Sequence, residues 1–384
     1  MSAAVFQGLV DQNQAVAALE KALEAAVSGS SGQEMTHAWL FTGPPGSGRS
    51  NIAKAFAAAL ICRNGGCGEC VDCETASTGT HPDVELVDVS GLSIKIDDIR
   101  EIVSRSAWGA STSKWRVVVI EDSDRMTEAA ANALLKALEE PGASTIWLLC
   151  APSLHDVLPT IRSRCRHINL KTPNVNEIAK YLVEQLNADE AEAKLAAQIS
   201  QGHIGKARGY LRDQEFRSVR RKSFEILFSV QNEAGAIRAA GDLLRLATER
   251  VEAKFAAKIE IEMEELKSAL QGGGRGLISG GAKSIKDLEK DQKSRTTRAI
   301  KDELDGYLLD YLTLFRDCLT PSGQLVNQDL ATEISKIGQT SPAGVITHLI
   351  ARTNETRELL TTNASQALLL ESLFLEFPRI NRGN

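Results

Sequence analysis

A glycine-rich octapeptide constrains the fold of this chain more than any other segment. The residues GPPGSGRS (43–50) directly follow an apolar, strand-like run, WLFT (39–42), and open a helical pattern at residue 51. They fit the phosphate-binding loop G-x-x-x-x-G-K-[ST], except that Arg49 replaces the lysine. Glycines allow backbone N–H groups to curl round a polyphosphate, and the helix N-terminus adds a positive dipole. The segment therefore predicts a strand–loop–helix unit that holds ATP, with Ser50 as a ligand to Mg²⁺.

The predicted nucleotide-binding residues are Gly43, Pro44, Pro45, Gly46, Ser47, Gly48, Arg49 and Ser50. The competing interpretation is a Gly-Pro turn that caps the helix and binds no nucleotide. Arg49 leaves both interpretations open, because lysine contacts phosphates as a compact point charge whereas arginine is a wider planar fork.

Short apolar runs alternate with helical patterns over the first 170 residues. The predicted strands are WLFT (39–42), VELVD (84–88), RVVVI (116–120), TIWLLC (145–150) and HINL (167–170). The helical patterns between them include 51–62 and 127–141, and the second has Thr127 as its N-cap and Pro141 just past its end. Such alternation predicts an α/β fold with a mostly parallel, doubly wound sheet.

The strand patterns stop after Thr172, so the remainder is predicted to be helical. A chain of 384 residues favours two to three domains. We predict an α/β domain at 1–172, a small helical lid at 173–214 and an all-α domain at 215–384. A glycine-rich stretch at 271–284 is predicted to be a flexible loop within the last domain.

A second element of a phosphate site follows at VVVIEDSD (117–124). An apolar strand that ends in acidic residues is how such folds hold Mg²⁺ and polarise an attacking water. The usual order is Asp then Glu, whereas this chain has Glu121 then Asp122. Because reacting geometry is sensitive to shifts of about 1 Å, the inversion favours binding without efficient hydrolysis. A merely solvated strand end is the alternative.

Four of the seven cysteines crowd together as C-x4-C-x2-C-x2-C, at Cys62, Cys67, Cys70 and Cys73. Four thiolates that converge on one ion close a tetrahedral Zn²⁺ site with no open position, which is typical of a structural metal. An iron–sulfur cluster and paired disulfides are the alternatives. The isolated Cys150, Cys165 and Cys318 are predicted to be small buried hydrophobes.

Charge and hydropathy exclude several classes of protein. The net charge of -6 argues against a surface that coats nucleic acid, and the basic run RSVRRK (217–222) is interpreted as a solvated face. No apolar run reaches the ~18 residues that a membrane span needs. The first residues lack the pattern of a secretory signal, so a cytoplasmic protein is expected.

Taken together, these motifs resemble the subunits of the bacterial DNA polymerase III clamp loader, a branch of the AAA+ superfamily. The segments that carry the resemblance are GPPGSGRS (43–50), the four cysteines, THPDVELVD (80–88), VVVIEDSDRMTEAAANALLKALEEPG (117–142) and LPTIRSRC (158–165). The resemblance is dense over roughly 35–170 and mostly architectural beyond it.

The resemblance implies a ring of five subunits, including gamma/tau and delta types, whose C-terminal helical domains form a collar. The ring uses ATP to open a sliding clamp and close it on primed DNA. One subunit of this group is a stator that presents the arginine of a Ser-Arg-Cys motif to a neighbour's ATP site, and here that arginine is Arg164. By the same resemblance the four cysteines bind Zn²⁺, and no polymerase site is expected in the chain.

Four departures from the motor subunits favour the stator. They are Arg49, the inverted pair Glu121 and Asp122, the apolar Ala151 and Pro152 at a γ-phosphate-sensing position, and Gly205 where the motor has an arginine. Two other hypotheses stay open. The chain is a motor that hydrolyses ATP at its own loop, or it is a non-hydrolysing interaction module with a zinc knuckle.

Overall fold

The computed structural model describes residues 3–28, 34–87, 93–142, 144–271, 281–320, 323 and 325–378. The chain divides into two compact units, Met1–Arg208 and Gly209–Asn384. Of the predicted loop at 271–284, residues 272–280 lie outside the described residues, whereas Gln271 and residues 281–284 lie in helices. None of the helices in the described ranges is long and apolar enough to cross a lipid bilayer.

The first unit is built round a five-stranded, all-parallel sheet with the order β2-β3-β4-β1-β5. The strands are β1 (Ala38–Thr42), β2 (Val84–Val87), β3 (Arg116–Ile120), β4 (Thr145–Ala151) and β5 (Arg166–Asn169). The register pairs Trp39 with Arg166 and Val118 with Trp147. All five predicted strands are present within one or two residues, and the α/β class with a parallel sheet is confirmed.

Helices cover both faces of this sheet. They are α1 (Asn13–Ser28), α2 (Arg49–Ile61), α3 (Val71–Thr78), α4 (Ile96–Ser106), α5 (Glu128–Glu139) and α6 (Pro159–Arg162). After the last strand come α7 (Val175–Leu186), α8 (Glu190–Ser200) and α9 (Ile204–Arg212), and the boundary between the two units falls within α9. The side chains of each strand alternate between two cores. Trp39 and Phe41 pack with Phe56 of α2, whereas Leu40 packs with Leu134 of α5 on the opposite face.

The strand order brings three strand ends together. Because β3, β4 and β1 are neighbours and parallel, their carboxyl ends open on one edge of the sheet, where such folds bind ligands. Gly43 follows β1, Glu121 follows β3 and Pro152 follows β4. The amide of Gly43 donates to the carbonyl of Pro152 at 3.2 Å, so the predicted loop is joined to the neighbouring strand end.

A buried carboxylate fastens the loop that precedes β3. Asp83 is fully buried just before β2, and its two oxygens accept five hydrogen bonds of 2.6–2.8 Å from the backbone and hydroxyl groups of Ser111, Thr112 and Ser113. Burial alone would raise the pKa of Asp83, but these donors outweigh it and hold the pKa well below its usual range. The contact joins segments about 30 residues apart.

The second unit is all-helical, as predicted. Its helices are α10 (Gln214–Phe228), α11 (Glu233–Gln271), α12 (Gly281–Leu319), α13 (Ala331–Thr340), α14 (Ala343–Leu360) and α15 (Gln366–Phe374). Their core contains a cluster of aromatic rings, in which the centroids of Phe374 and Phe377 are 4.8 Å apart and Tyr311 lies 6.4 Å from both.

The interpretation of RSVRRK as a wholly solvated face is wrong for one residue. Arg220 is only 5% exposed, and it donates to Asp329 at 2.5 Å and to Asn327 at 2.6 Å. Its guanidinium also lies 4.9 Å from the ring centroid of Phe224. The helix turns this arginine inward, whereas Arg217, Arg221 and Lys222 are exposed.

The two 39-residue helices α11 and α12 run antiparallel and carry a polar layer between them. Arg295 binds both carboxylate oxygens of Glu262, one of them at 2.9 Å, and Gln292 donates to the same carboxylate at 3.1 Å. The side chains of Glu262 and Arg295 are only 22% and 19% exposed. Arg295 holds the pKa of Glu262 below its usual range, against the opposing effect of burial.

Candidate functional site

The predicted phosphate loop forms the connection between β1 and α2. Gly46 and Gly48 adopt φ values of +86° and +90°, which side-chain-bearing residues rarely reach, and Gly48 is the N-cap of α2. Gly46 is also tightly packed, because a Cβ there would lie 2.6 Å from the Cβ of His203. Pro44 and Pro45 are exposed, Ser47 is buried and Ser50 is half-buried. The backbone therefore has the turn that a phosphate loop requires.

Arg49 points back at its own loop. Its Nη1 atom donates to the carbonyl oxygen of Gly43 at 2.9 Å. The guanidinium donates to the first carbonyl of the loop. Its positive charge is therefore engaged within the chain, whereas in a phosphate loop the cation at this position contacts the phosphates. The sequence left open whether Arg49 fits the cradle, and it gave no sign of this contact.

The inverted acidic pair lies beside the loop, and each carboxylate has a cation next to it. Glu121 Oε1 is 2.6 Å from Lys54 Nζ, on the helix that the loop opens. Asp122 Oδ2 is 3.7 Å from Arg125 Nε. The sequence analysis did not single out Lys54, although its place one turn into α2 is the available signal.

A third carboxyl group, Asp124, also belongs to this edge. Burial and the nearby charge of Asp122 raise the pKa of Asp124, while Arg125 and Arg49 partly oppose that shift. Its Oδ1 atom is buried without a hydrogen-bond partner among the described residues. Asp124 was missed as a site residue even though it stands in the same acidic run.

Residues 202–206 close the loop from another side. His203 packs against Gly46, and burial together with the charge of Lys206 lowers the pKa of its imidazole. A Cβ at Gly205 would lie 3.0 Å from the His203 ring, so the glycine leaves room for the imidazole. Arg208 is exposed.

The N-terminal segment is also tied to the loop, through a residue that the sequence analysis missed. The Gln12 side chain is 4% exposed and donates to the carbonyl of Lys171 at 2.8 Å and to that of Ser47 at 3.4 Å. Asp11 next to it pairs with Lys171 at 2.7 Å, and this contact lowers the pKa of Asp11.

The four predicted metal ligands do come together. Cys62 ends α2, Cys70 caps α3 and Cys73 lies in its first turn, while Gly65, Gly66 and Gly68 turn the chain between them with positive φ values. The four sulfur atoms all lie within 4.8 Å of one another, and Cys62 Sγ is 3.7 Å from the sulfurs of both Cys67 and Cys70.

These separations fit a metal better than a disulfide. Four sulfurs at ~2.3 Å from a central ion in a tetrahedron are about 3.8 Å apart, whereas a disulfide is ~2.05 Å long. Burial opposes ionisation of Cys62, but the backbone amides of Cys67, Gly66 and Asn64 outweigh it and lower its pKa to about 6. The cluster can therefore hold a structural metal ion.

The other cysteines do not take part in it. Cys150 and Cys318 are buried in hydrophobic cores, as predicted, and Cys165 is half-buried.

The Ser-Arg-Cys motif follows α6 and directly precedes β5. Because β5 and β1 are parallel, the motif lies at the opposite end of the strands from the phosphate loop that follows β1. Arg164 has a side chain that is 35% exposed. Its Nε donates to Glu139 Oε1 at 2.8 Å, and its Nη1 donates to the carbonyl of Thr160 at 2.8 Å. The sequence predicted an arginine at the surface, and it did not identify Glu139 as its partner.

Comparison with known proteins agrees with these features. Residues 15–174 match the family described as DNA polymerase III, delta subunit. The delta-prime subunit of DNA polymerase III from Pseudomonas aeruginosa is 36% identical over 163 residues, which are 41% of this chain and 50% of that protein. Over this part of its length, the chain is therefore similar to delta-prime subunits of DNA polymerase III. The match with the Pseudomonas protein thus spans half of that relative's length.

A tau subunit is similar to the chain too. The tau subunit of DNA polymerase III from Bacillus subtilis is 29% identical over 211 residues, which are 53% of this chain and 36% of that protein. Among solved structures, a gamma subunit-related protein from Thermotoga maritima is 18% identical, with a TM-score of 0.44 over 95% of this chain and 99% of that one. The family match ends at residue 174, before the second unit begins at Gly209.

Proposed function

We propose that this chain is a stator subunit of the DNA polymerase III clamp loader, of the delta-prime type. It helps to load the sliding clamp onto primed DNA in replication and does not hydrolyse ATP efficiently itself. Its partners are gamma/tau-type and delta-type subunits in a five-subunit ring. The relation of the chain to both delta-prime and tau subunits supports this assignment.

The observation that carries the proposal is that Arg49 and the acidic pair Glu121 and Asp122 already have partners within the chain. Arg49 is bonded to the carbonyl of Gly43, and Glu121 is paired with Lys54. Hydrolysis of ATP needs a cation on the phosphates and carboxylates that hold Mg²⁺ and orient water. Nucleotide would have to break these contacts before it could be bound and cleaved.

Arg164 supplies the active part of the proposal. A partly exposed arginine that lies away from its own phosphate loop is suited to stabilising charge on a phosphate that a neighbouring subunit holds. Such a residue acts as an arginine finger in trans. The partly exposed guanidinium of Arg164 supports this role.

The four cysteines are proposed to bind one structural Zn²⁺. Thiolates suit Zn²⁺, and a site with four protein ligands has no position left for a substrate. The ion would fasten the end of α2 to the start of α3, the two elements that carry Cys62 and Cys70.

The test is ATP turnover by a loader assembled from this chain and its gamma/tau-type and delta-type partners. We expect Arg164→Ala to remove the turnover of the neighbouring site, because loss of such a finger costs about 10³-fold or more there. Gel filtration should show that the ring still assembles. We expect Arg49→Ala to leave turnover unchanged.

The reverse pattern would reject the stator role. If Arg49→Ala abolishes turnover and Arg164→Ala does not change it, the chain is a motor subunit with an active loop. If neither variant matters while removal of the metal destroys partner binding, the chain acts only as an interaction module.

A further inference from the structure

Among the residues that the structure describes, Glu139 is the one carboxylate in contact with Arg164. The Nε atom of Arg164 donates to Glu139 Oε1 at 2.8 Å, and Nη2 contacts the same oxygen. The remaining nitrogen, Nη1, donates to the carbonyl of Thr160 at 2.8 Å and to Ser163 Oγ at 3.1 Å. All three guanidinium nitrogens are therefore held, so the side chain has a defined orientation although it is partly exposed.

The two residues stand on a shared rigid base. Leu138, the neighbour of Glu139, and Ile161, in the helix before Arg164, are each 1% exposed and belong to the same hydrophobic cluster. The carbonyl of Leu138 is also 2.7 Å from His37 Nε2. Since buried side chains in a close-packed core move little, the distance between the Glu139 and Arg164 backbones is fixed by packing.

The other two residues of the Ser-Arg-Cys motif, Ser163 and Cys165, also restrict where Arg164 can lie. Ser163 Oγ accepts from Arg164 and itself donates to the carbonyl of Thr160 at 3.1 Å. Cys165 packs against the hydrophobic cluster that contains Leu138, and burial raises the pKa of its thiol to about 12. The serine fixes one side of the guanidinium, and the cysteine anchors the chain beneath it.

We propose that Glu139 is a positioning residue, which holds Arg164 in the orientation that reaches a phosphate bound by the neighbouring subunit. This inference rests on the proposed role of Arg164 as a finger in trans. Arginine has many rotamers, and an unpaired one at a surface samples most of them. A glutamate that holds Nε and Nη2 through one oxygen selects a single orientation before the neighbour arrives.

A positioning role predicts a loss in rate rather than in ATP affinity. A misplacement of about 1 Å at a reacting centre can cost about 10²-fold in rate. We expect Glu139→Ala to remove at least about half of the turnover that Arg164→Ala removes, with KM for ATP unchanged. Glu139→Gln keeps an oxygen that accepts from Nε, so this variant should keep most of the turnover that Glu139→Ala removes.

The experiment measures kcat and KM for ATP in the assembled loader with six forms of this chain: wild type, Glu139→Ala, Glu139→Gln, Glu140→Ala, Arg164→Ala and the double variant Glu139→Ala with Arg164→Ala. Glu140 is the matched control, because it is the adjacent exposed glutamate and lies beyond the last residue of α5. It should behave as wild type. In an Arg164→Ala background, Glu139→Ala should have no further effect on kcat.

The outcomes separate this inference from the proposed function. If Arg164→Ala leaves turnover unchanged, Arg164 is not an arginine finger, and the positioning role of Glu139 is rejected with it. If Arg164→Ala lowers kcat but Glu139→Ala does not, the finger stands and the positioning role is wrong. A rise in turnover with Glu139→Ala would show that the glutamate restrains the arginine instead, and this too overturns the inference.

Discussion

At the scale of single residues, the sequence predicted side chains whose role depends on nearby neighbours and missed those that act across the fold. Thr127 accepts from the amide of Ala130 as the predicted N-cap, because capping depends on the next three residues only. The thiols of Cys62 and Cys70 meet for the same local reason. Glu139 lies 25 residues before Arg164, and such pairs become visible only when the sheet has formed.

Asp83 is the clearest of these distant contacts, and it predicts a pH dependence. We expect Asp83→Asn to lower the free energy of unfolding by about 3 kcal/mol at pH 7, since it removes a charged acceptor from buried donors. A carboxyl whose folded pKa lies below its ordinary value stabilises the fold above that value, and the effect fades as the pH falls. The gap between wild type and variant should therefore narrow from about pH 4 downward.

Urea unfolding at a series of pH values measures this gap. Asp156→Asn is the control, because Asp156 is an exposed aspartate of the same unit. If the difference in unfolding free energy between wild type and Asp83→Asn stays constant down to pH 2, the charge of Asp83 does not contribute to stability.

At the scale of elements, the helical character of residues 215–384 was predictable, but the length of the helices was not. The amphipathic segment 251–270 is the second half of the 39-residue helix α11. Local pattern gives the face of a helix, whereas its length here depends on α12 lying alongside it. The contact of Glu262 with Arg295 then sets the relative register of the two helices.

This polar layer should show strong coupling. Arg295→Met removes the cation that binds both oxygens of the largely buried Glu262 and leaves Lys258 at 4.0 Å, so we expect a loss of about 1–2 kcal/mol in the stability of the second unit. The double variant Glu262→Leu with Arg295→Leu should recover most of that loss, since apolar pairs often replace buried ion pairs without cost. Chemical denaturation of wild type, Glu262→Leu, Arg295→Leu and the double variant gives the coupling energy.

An exposed pair on the same helix provides the comparison. Arg245 lies 2.8 Å from Asp242, but both side chains are well exposed. Arg245→Met should change stability by less than about 0.5 kcal/mol. Equal losses for Arg245→Met and Arg295→Met would contradict a special role for the polar layer.

At the scale of the whole molecule, the α/β class and the parallel sheet followed from the alternation of short apolar runs with helical patterns. The strand order did not, because the pairing of β1 with both β4 and β5 is a non-local choice. That order places the ends of β1 and β3 on one edge of the sheet. The sequence pointed to Arg49, Glu121 and Asp122 at this edge. It could not show that Arg49 would meet the carbonyl of Gly43, or which cations the two carboxylates would meet.

The two units predict how the chain responds to loss of metal. We expect one equivalent of Zn²⁺ per chain, and we expect chelation to lower the melting temperature of the Met1–Arg208 transition by more than about 5 °C while the Gly209–Asn384 transition stays in place. Calorimetry with and without chelator measures both, and added Zn²⁺ should reverse the shift. Cys70→Ser should lose the metal, whereas Cys318→Ala should keep it. Full stability without metal, or a bound iron–sulfur cluster, would reject the zinc assignment.

The spacing of the four cysteines also bears on the order in which the chain acquires structure. Their thiols meet within a segment of twelve residues, so closing that segment costs little chain entropy. The sheet, in contrast, is complete only when β1 meets β5, whose paired residues Trp39 and Arg166 are more than 120 positions apart. During synthesis on a ribosome, a metal ion could therefore fix the end of α2 long before the last strand has been made. The segment from Cys62 to Cys73 would then be folded while the sheet is still incomplete.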